Sequence, residues 1–584
     1  PAAAMTGVLT KSLLLGVVTL ALLHTGWAER CEFVEITDEW TYNYAATFSA
    51  PAPADFSGLV VDLYFNRPVD SIDFYQGTAE KVDDHHFILR DDSLSGTAGL
   101  IVECKFQAHF PEAQAVVTAA TINGVPICEG GWTTVPPLQD PCDPTGMKPY
   151  DYAQVLCMGI LFYEAERSGH LPADQRITWR YDSALDDGSD VGHDLTGGYY
   201  DAGDHVKFGF PMAYSASLIG WGLIDFADGY EAAGQVEYGR AAVKWATDYF
   251  LKAYTAHWEF YGQVGRGDLD HSYWGRPENM TMERPSMKID EAAPGSELAG
   301  ETAAALAIAS IVFKEADPAY SSKILGVASE LYEFADAKRQ NYHISIPDAA
   351  AYYQSFSGYY DELLWAALWL YRATDDATYL DRARGHYAEI PTSPNNRLVQ
   401  FSWDDKRAGA FSLGTLLDPE FTEYATGIQG FFDWVKHEAP YTPAGLVYLD
   451  TWGPNRHAAN VAFLMFWNAK QGLDVEENRS WGQGQINYIL GDTGRSFVVG
   501  YGVNPPKRPH HRSSSCPSMP GSCHDGWAEK QEGPNPQTLY GALVGGPSED
   551  DTYTDDRIDY IHNEVACDYN AAFVGALAAL VEIN

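Results

Sequence analysis

Two aspartates, Asp201 and Asp204, stand in the run GGYYDAGDHVKFGF that extends from Gly197 to Phe210. Glycines on both sides break any helix, so both carboxylates belong to an irregular loop and can face one point. Close carboxylates hold a cation, share a proton or grip a water. Equally, one can cap a helix while the other solvates a turn. A second stretch, DTGRSFVVGYGVNPPKRPHHRSSSC, carries His510, His511 and Arg512. Adjacent histidines rarely ligate one ion well, and Arg508 and Arg512 would repel it, so donors for sugar hydroxyls fit better than zinc. An exposed basic loop is the plainer alternative. In a third stretch, DTYTDDRIDYIHNEVACDYNAAFVGAL, Glu564 stands at the start of an apolar final helix, near Cys567 and Tyr569. Partly apolar surroundings raise a carboxyl's pKa and suit a general acid. A helix N-terminus also favours glutamate there, and Asp555 or Asp556 can cap a turn. Together the three stretches describe an acid, a paired-aspartate base and cationic donors among aromatic rings. Glycosidic cleavage with inversion needs two carboxyl groups about 6.5–9.5 Å apart with a water between them. Asp201 and Asp204 would orient that water, Asp204 would take its proton, and Glu564 would protonate the leaving oxygen.

The elements that must position these groups are helical from Tyr150 onward. YAQVLCMGILFYEAERSG, GETAAALAIASIVFKE, DELLWAALWLYRAT and NAAFVGALAALVEI show apolar residues at helical spacing, and about a dozen such segments follow one another. No strand–helix alternation appears, which argues against a parallel-sheet enzyme. Helices of similar length joined by elaborate loops predict a closed double layer of helices with function in the loops at one end. From Cys31 to Cys128 the pattern is β instead: GLVVDLYF and AVVTAATING predict a sandwich of about a hundred residues. The expected organisation is a signal peptide at 5–28, a β-sandwich at 29–128, a Pro-rich linker at 129–148 and a catalytic domain at 149–584.

Composition narrows the partners. The chain has 584 residues and a formal charge of -42, with no sustained basic run, so a nucleic-acid partner is excluded. Tyr (36) and Trp (16) are abundant, which suits a cleft for a neutral, hydroxyl-rimmed polymer or simply a large core. Lys11 precedes the apolar run SLLLGVVTLALL, and GWA ends at Ala28: a secretory signal is expected, a membrane anchor being the alternative. The mature protein is expected to be extracellular and monomeric, without a membrane partner. Of eight cysteines, Cys31 and Cys128 bracket the first module, Cys516 and Cys523 share one loop, and Cys104, Cys142, Cys157 and Cys567 stay unassigned. Asn279-Met-Thr281 and Asn478-Arg-Ser480 are glycosylation acceptors in form.

The region from Tyr150 to the end resembles glycoside hydrolase family 9, mostly endo-β-1,4-glucanases. YYDAGDHVKF, DHSYWGRPE, GSELAGETAAALA, SGYYDELLWAALWLYRAT, SWDDK, LDTWGPNRHAANVAF, GYGVNPPKRPHHRSSSCP and NEVACDYNAAF occur in family order. The resemblance implies an (α/α)6 barrel, Asp204 as base with Asp201 as its partner on the water, and Glu564 as acid. It places His510, Arg512 and Asp555 at active-site positions, and His271, Trp274 and Tyr569 against glucose units. It also implies calcium at Ser357, Gly358, Asp361, Glu362 and Asp404, and no organic cofactor. The first module resembles a family 2 carbohydrate-binding module, an immunoglobulin-like sandwich, through Cys31, Cys128, Trp40 and its β content. The family's second Trp position reads Gly58-Leu59 here, and the third falls at Phe74 or Tyr75. A weakened cellulose platform, a changed ligand such as chitin, and a purely structural module all remain open. The implied activity is a secreted, inverting endo-β-1,4-glucanase on cellulose or related β-glucans. A processive or exo-acting cellulase and a non-catalytic polysaccharide-binding protein are the alternatives.

Overall fold

The computed structural model describes residue 31 and residues 33–584, apart from 41–42, 66, 111–114, 124, 129–141, 392–396, 520, 522 and 524–525. The expected signal at 5–28 and residues 129–141 of the expected linker lie outside the described residues. The chain divides into two units between residues 136 and 137.

The first unit contains strands β1 (Val34–Trp40), β2 (Asn43–Pro51), β3 (Phe56–Phe65), β4 (Ser71–Phe74), β5 (Thr78–Asp83), β6 (His86–Gly96), β7 (Ile101–His109), β8 (Val117–Ile122) and β9 (Val125–Cys128). They form two antiparallel sheets, ordered β1-β2-β7-β4 and β5-β6-β3-β8-β9. Alternation decides which face is buried. In β2, Tyr44, Ala46, Phe48 and Ala50 point inward; in β3, Leu59, Val61, Leu63 and Phe65 do. Both inner faces share one core with Phe87 and Phe106, so the predicted sandwich is present. Trp40 closes β1 opposite Asn43, and its side chain lies outside the described residues. Cys31 is disulfide-bonded, while the side chain of Cys128 is outside the described set.

Among the described residues of the second unit, twelve helices of eleven residues or more alternate between two layers. They are α1 (Tyr152–Ala165), α2 (Gly209–Asp225), α3 (Val236–Ala253), α4 (Ser296–Phe313), α5 (Pro318–Ala337) and α6 (Tyr360–Thr374), then α7 (Ala377–Glu389), α8 (Arg407–Leu417), α9 (Thr422–His437), α10 (Pro454–Lys470), α11 (Val475–Asn487) and α12 (Cys567–Ile583). The even-numbered helices close a ring: α2 packs on α4, α4 on α6, α6 on α8, α8 on α10, α10 on α12, and α12 on α2. The odd-numbered helices pack outside them, α1 on α12, α3 on α2 and α4, α5 on α4 and α6, and so on around. This is an (α/α)6 barrel.

Sequence explains which helix goes where. α4 and α12 are apolar all round and are buried on every face, as inner helices must be. α4 has the length and apolarity of a membrane span, but it is an inner barrel helix. α3 buries only one stripe, including Ala242, Val243, Ala246, Tyr249 and Phe250. Three outer helices start at side-chain caps: Asp151, Asp317 and Asp376 accept main-chain N–H groups at the starts of α1, α5 and α7. A Cys142–Cys157 disulfide ties the preceding segment to α1. Connections from inner to outer helices are short, as at 314–317 and 375–376. Those from outer to inner are long, as at 166–208, 254–295 and 488–566. All inner helices therefore start at one end, and every long connection gathers there.

Candidate active site

Main-chain hydrogen bonds at that end bring the three chemically suggestive stretches together. Cys567 N–H, the first residue of α12, donates to the Asp201 carbonyl at 2.8 Å, and Arg512 N–H donates to the Gly203 carbonyl at 3.0 Å. His510 N–H donates to the Asn563 carbonyl at 2.8 Å, which pairs the His510 segment with Glu564 in a parallel bridge. Gly203 is required for this approach, since a Cβ there would lie 2.0 Å from the His510 carbonyl oxygen. The aspartate loop, the histidine loop and the start of the last helix thus form one wall-to-wall cluster.

The two aspartates are buried, yet their environments differ. Tyr353 Oη donates to Asp201 Oδ2 at 2.5 Å, while Asp201 Oδ1 and Asp204 Oδ1 have no partner among the described residues. Burial first, and then the charge of Asp204, push Asp201 well above the usual carboxylate range. For Asp204 burial pulls in the same direction, but the His271 ring nitrogen at 3.2 Å and the Arg512 guanidinium outweigh it and lower its pKa. The two carboxyls are thus pushed apart, Asp201 upward and Asp204 downward, and they titrate as a pair. Burial pushes Glu564 up to about 7, with the nearby Asp204 charge adding to it and a hydrogen bond from Trp452 opposing it. Trp452 Nε1 donates to Glu564 Oε2 at 2.7 Å, and Tyr569 Oη donates to the same oxygen at 3.2 Å. At neutral pH the cluster holds an ionised aspartate whose charge helps raise a nearby, protonatable glutamate.

Residues 152–577 match the family described as Glycosyl hydrolase family 9. The chain belongs to that family. An endoglucanase from the termite Nasutitermes takasagoensis is 56% identical, with a TM-score of 0.73 over 74% of this chain and 99% of that one. Endoglucanase 4 of Bacillus sp. (strain KSM-522) is 47% identical over 74% of this chain and 69% of its own length. The cellulase Cel9M of Clostridium cellulolyticum, solved with cellobiose, is 37% identical, with a TM-score of 0.70 over 75% of this chain and all (100%) of that one. This chain is a glycoside hydrolase of the endoglucanase kind.

Within this family 9 site, the other expected residues take distinct places. Arg512 Nη1 donates to Asp270 Oδ1 at 3.2 Å and its guanidinium lies 5.4 Å from the centroid of the Trp274 ring. Trp274 Nε1 donates to Ser515 Oγ at 2.9 Å, and the His510 ring meets Trp274 edge-on. His510 and His511, expected as donors for sugar hydroxyls, face different partners. Burial, then Arg512, push His510 down to about 4, so it is neutral; its Nδ1–H goes to the Arg557 carbonyl, leaving Nε2 as an acceptor. His511 turns inward, 2.9 Å from buried Glu166. Asp555 spends both oxygens on the main-chain N–H groups of Lys507 and Arg508, so it holds the turn that presents His510.

Sequence reasoning did not single out Asp270, Tyr353 or Trp452. Asp270 and Trp452 stand in DHSYWGRPE and LDTWGPNRH, so those motifs carried a signal; nothing local marks Tyr353. Among the described residues, Asp204, Asp270 and His271 are the group of metal-ligating side chains whose ligand atoms lie within 4.8 Å of one another. Arg512 already supplies a positive charge beside Asp270.

Of the expected calcium ligands, Ser357 and Gly358 lie in the loop before α6, Asp361 and Glu362 in the first turn of α6, and Asp404 in the loop before α8. Phe356 N–H donates to Asp404 Oδ1 at 2.8 Å, Ser357 Oγ donates to the Asp404 carbonyl at 2.6 Å, and Ser357 Oγ lies 3.3 Å from Asp361 Oδ1. Burial, then Asp405, push Asp361 up to about 6, and burial also raises Asp404. Crowded, buried carboxylates beside hydroxyl and carbonyl oxygens fit a hard cation. Ser357, Gly358, Asp361 and Asp404 fit this description. Glu362 differs: it is buried against Lys406 Nζ at 2.9 Å, so a lysine already answers its charge.

Proposed function

We propose that this is a secreted, inverting endo-β-1,4-glucanase acting on cellulose and related β-glucans. The observation that supports the mechanism is the main-chain bonding that brings the Asp201–Asp204 loop against the start of α12, beside Glu564, whose pKa burial pushes up to about 7. Asp204 accepts a proton from a water that Asp201 helps orient, and that water's oxygen attacks the anomeric carbon. The bond to the leaving oxygen breaks as Glu564 transfers its proton to it. Asp204 ends protonated and Glu564 ionised; exchange with solvent restores both. Tyr353 donates to Asp201 Oδ2 and fixes the carboxyl's orientation, leaving Oδ1 to meet the water beside Asp204. Trp274 and Trp452 offer rings and His510 an acceptor for successive glucose units, while buried Tyr569 donates to Glu564; the cellobiose and cellotriose named with solved relatives support that class of ligand. Bound calcium would tie the loop before α6 and the first turn of α6 to the loop before α8 through Ser357, Gly358, Asp361 and Asp404; no chemical step passes through it.

Residues 5–28 are read as the signal that takes the chain out of the cell, and the folded protein as a monomer. The β-unit is read as a carbohydrate-binding module of family 2 type. Tyr75, 63% exposed, stands next to the strand where the family's third aromatic falls. The test is a panel of carboxymethyl cellulose, crystalline cellulose and lichenan, with viscosity and product length followed together. A rapid viscosity fall with few reducing ends is expected from the wild type and is nearly abolished in Glu564→Gln and Asp204→Asn, both folded. Binding without cleavage, or full activity of either variant, refutes the reading.

A further inference from the structure

We infer that Asn279 carries an N-linked oligosaccharide and that Asn478, the other acceptor triplet, does not. This rests on the secretory reading above, and the two triplets differ in ways that sequence does not show. Asn478 lies in the first turn of α11 with 0% exposure, and its Nδ2 donates to the Leu473 carbonyl at 3.0 Å. A glycan there would require α11 to unwind and a buried amide to lose its partner. Asn279 and Thr281 are both exposed, in the long loop between α3 and α4. The residue between them, Met280, has φ -60 and ψ 136, so the triplet leaves the preceding turn in an extended conformation. The Asn279 carbonyl oxygen Oδ1 lies 3.4 Å from Arg276 Nη1, and no hydrogen bond occupies its Nδ2 among the described residues.

The residues on the N-terminal side are anchored. Arg276 donates to the carbonyls of Pro517 and Gly521, and Glu278 is paired with buried Arg180 at 2.9 Å. Asn279 is thus presented outward from a fixed stem rather than folded onto the surface. The covalent step is a displacement at C1 of a lipid-pyrophosphate-linked oligosaccharide. Asn279 Nδ2 forms the bond to C1 as the C1–O bond breaks. The lipid pyrophosphate leaves with the electron pair, and the amide proton passes to a base of the transferase.

The experiment is secretion of the full chain from a eukaryotic host, once with its own leader and once behind a leader of the host. Intact mass is measured before and after peptide N-glycosidase, followed by peptide mapping. One glycan per chain, on the peptide containing Asn279, is expected. Asn279→Gln and Thr281→Ala should each remove it, Thr281→Ser should keep it, and kcat/KM on a soluble β-glucan should not change. Failure to leave the cell with its own leader alone counts against the secretory reading. An unmodified Asn279 in protein secreted behind the host leader, or a glycan on Asn478, overturns the inference.

Discussion

Trp452→Phe is expected to move the basic limb of the pH profile upward. Trp452 Nε1–H donates to Glu564 Oε2 at 2.7 Å and favours the carboxylate over the acid. Phe keeps an apolar ring beside Tyr560 and deletes the donor. A hydrogen bond to a charged group contributes about 1.5–3 kcal/mol, and about 1.4 kcal/mol corresponds to one pKa unit, so a fully buried donor would account for one to two units. Trp452 is 42% exposed, and water takes over part of the lost bond. Halving the effect for solvent screening leaves a rise of about half to one unit. Tyr569 still donates to the same oxygen and limits the shift. The sign follows from charge: losing a donor to the ionised form raises the pKa, so the general acid stays protonated to higher pH. The assay is kcat/KM on a soluble cello-oligosaccharide across neutral and alkaline pH, because that ratio reports ionisations of the free enzyme. Lost stacking would raise KM without moving the limb. A basic limb that stays put or moves down would refute the assignment of Glu564 and Trp452.

Gly203→Ala forces a Cβ to within 2.0 Å of the His510 carbonyl. Activity should fall at least about a hundredfold, with a stability loss of about 1–3 kcal/mol from overpacking, seen in activity assays and denaturant melts. The melting temperature should fall as pH rises from about 5 to 8. Buried Glu301 (about 7) and Glu297 (about 8) bind protons more tightly when folded than unfolded, so their stabilisation is present at low pH and lost through that window. A flat or rising curve would contradict it. Chelation should lower the melting temperature further while leaving the turnover of folded enzyme nearly unchanged, and saturating calcium should restore it; a lost turnover with no thermal shift would make the metal catalytic.

Much of this was legible because the relevant signals are local. The helical spacing gave the dozen helices, and glycines flanking Asp201 and Asp204 marked an irregular loop. What was not legible depends on tertiary contact. Tyr353 sits in an unremarkable stretch and matters only because its hydroxyl reaches Asp201 across the ring of helices. His511 and His510 are neighbours in sequence, yet one faces Glu166 and the other the Arg557 carbonyl and the Trp274 ring. Glu362 has the sequence context of a metal ligand and is paired with Lys406 instead. The Cys142–Cys157 bridge had no local marker either, since the register of α1 decides which cysteine faces the preceding segment.

The geometry of cleavage is tested most directly by the anomer first released from a soluble cello-oligosaccharide, followed by proton NMR before mutarotation. Attack by water held at Asp204, opposite the oxygen that Glu564 protonates, yields the α-anomer first. Initial release of the β-anomer would mean a covalent intermediate, and Asp204 would then not be a base acting on water.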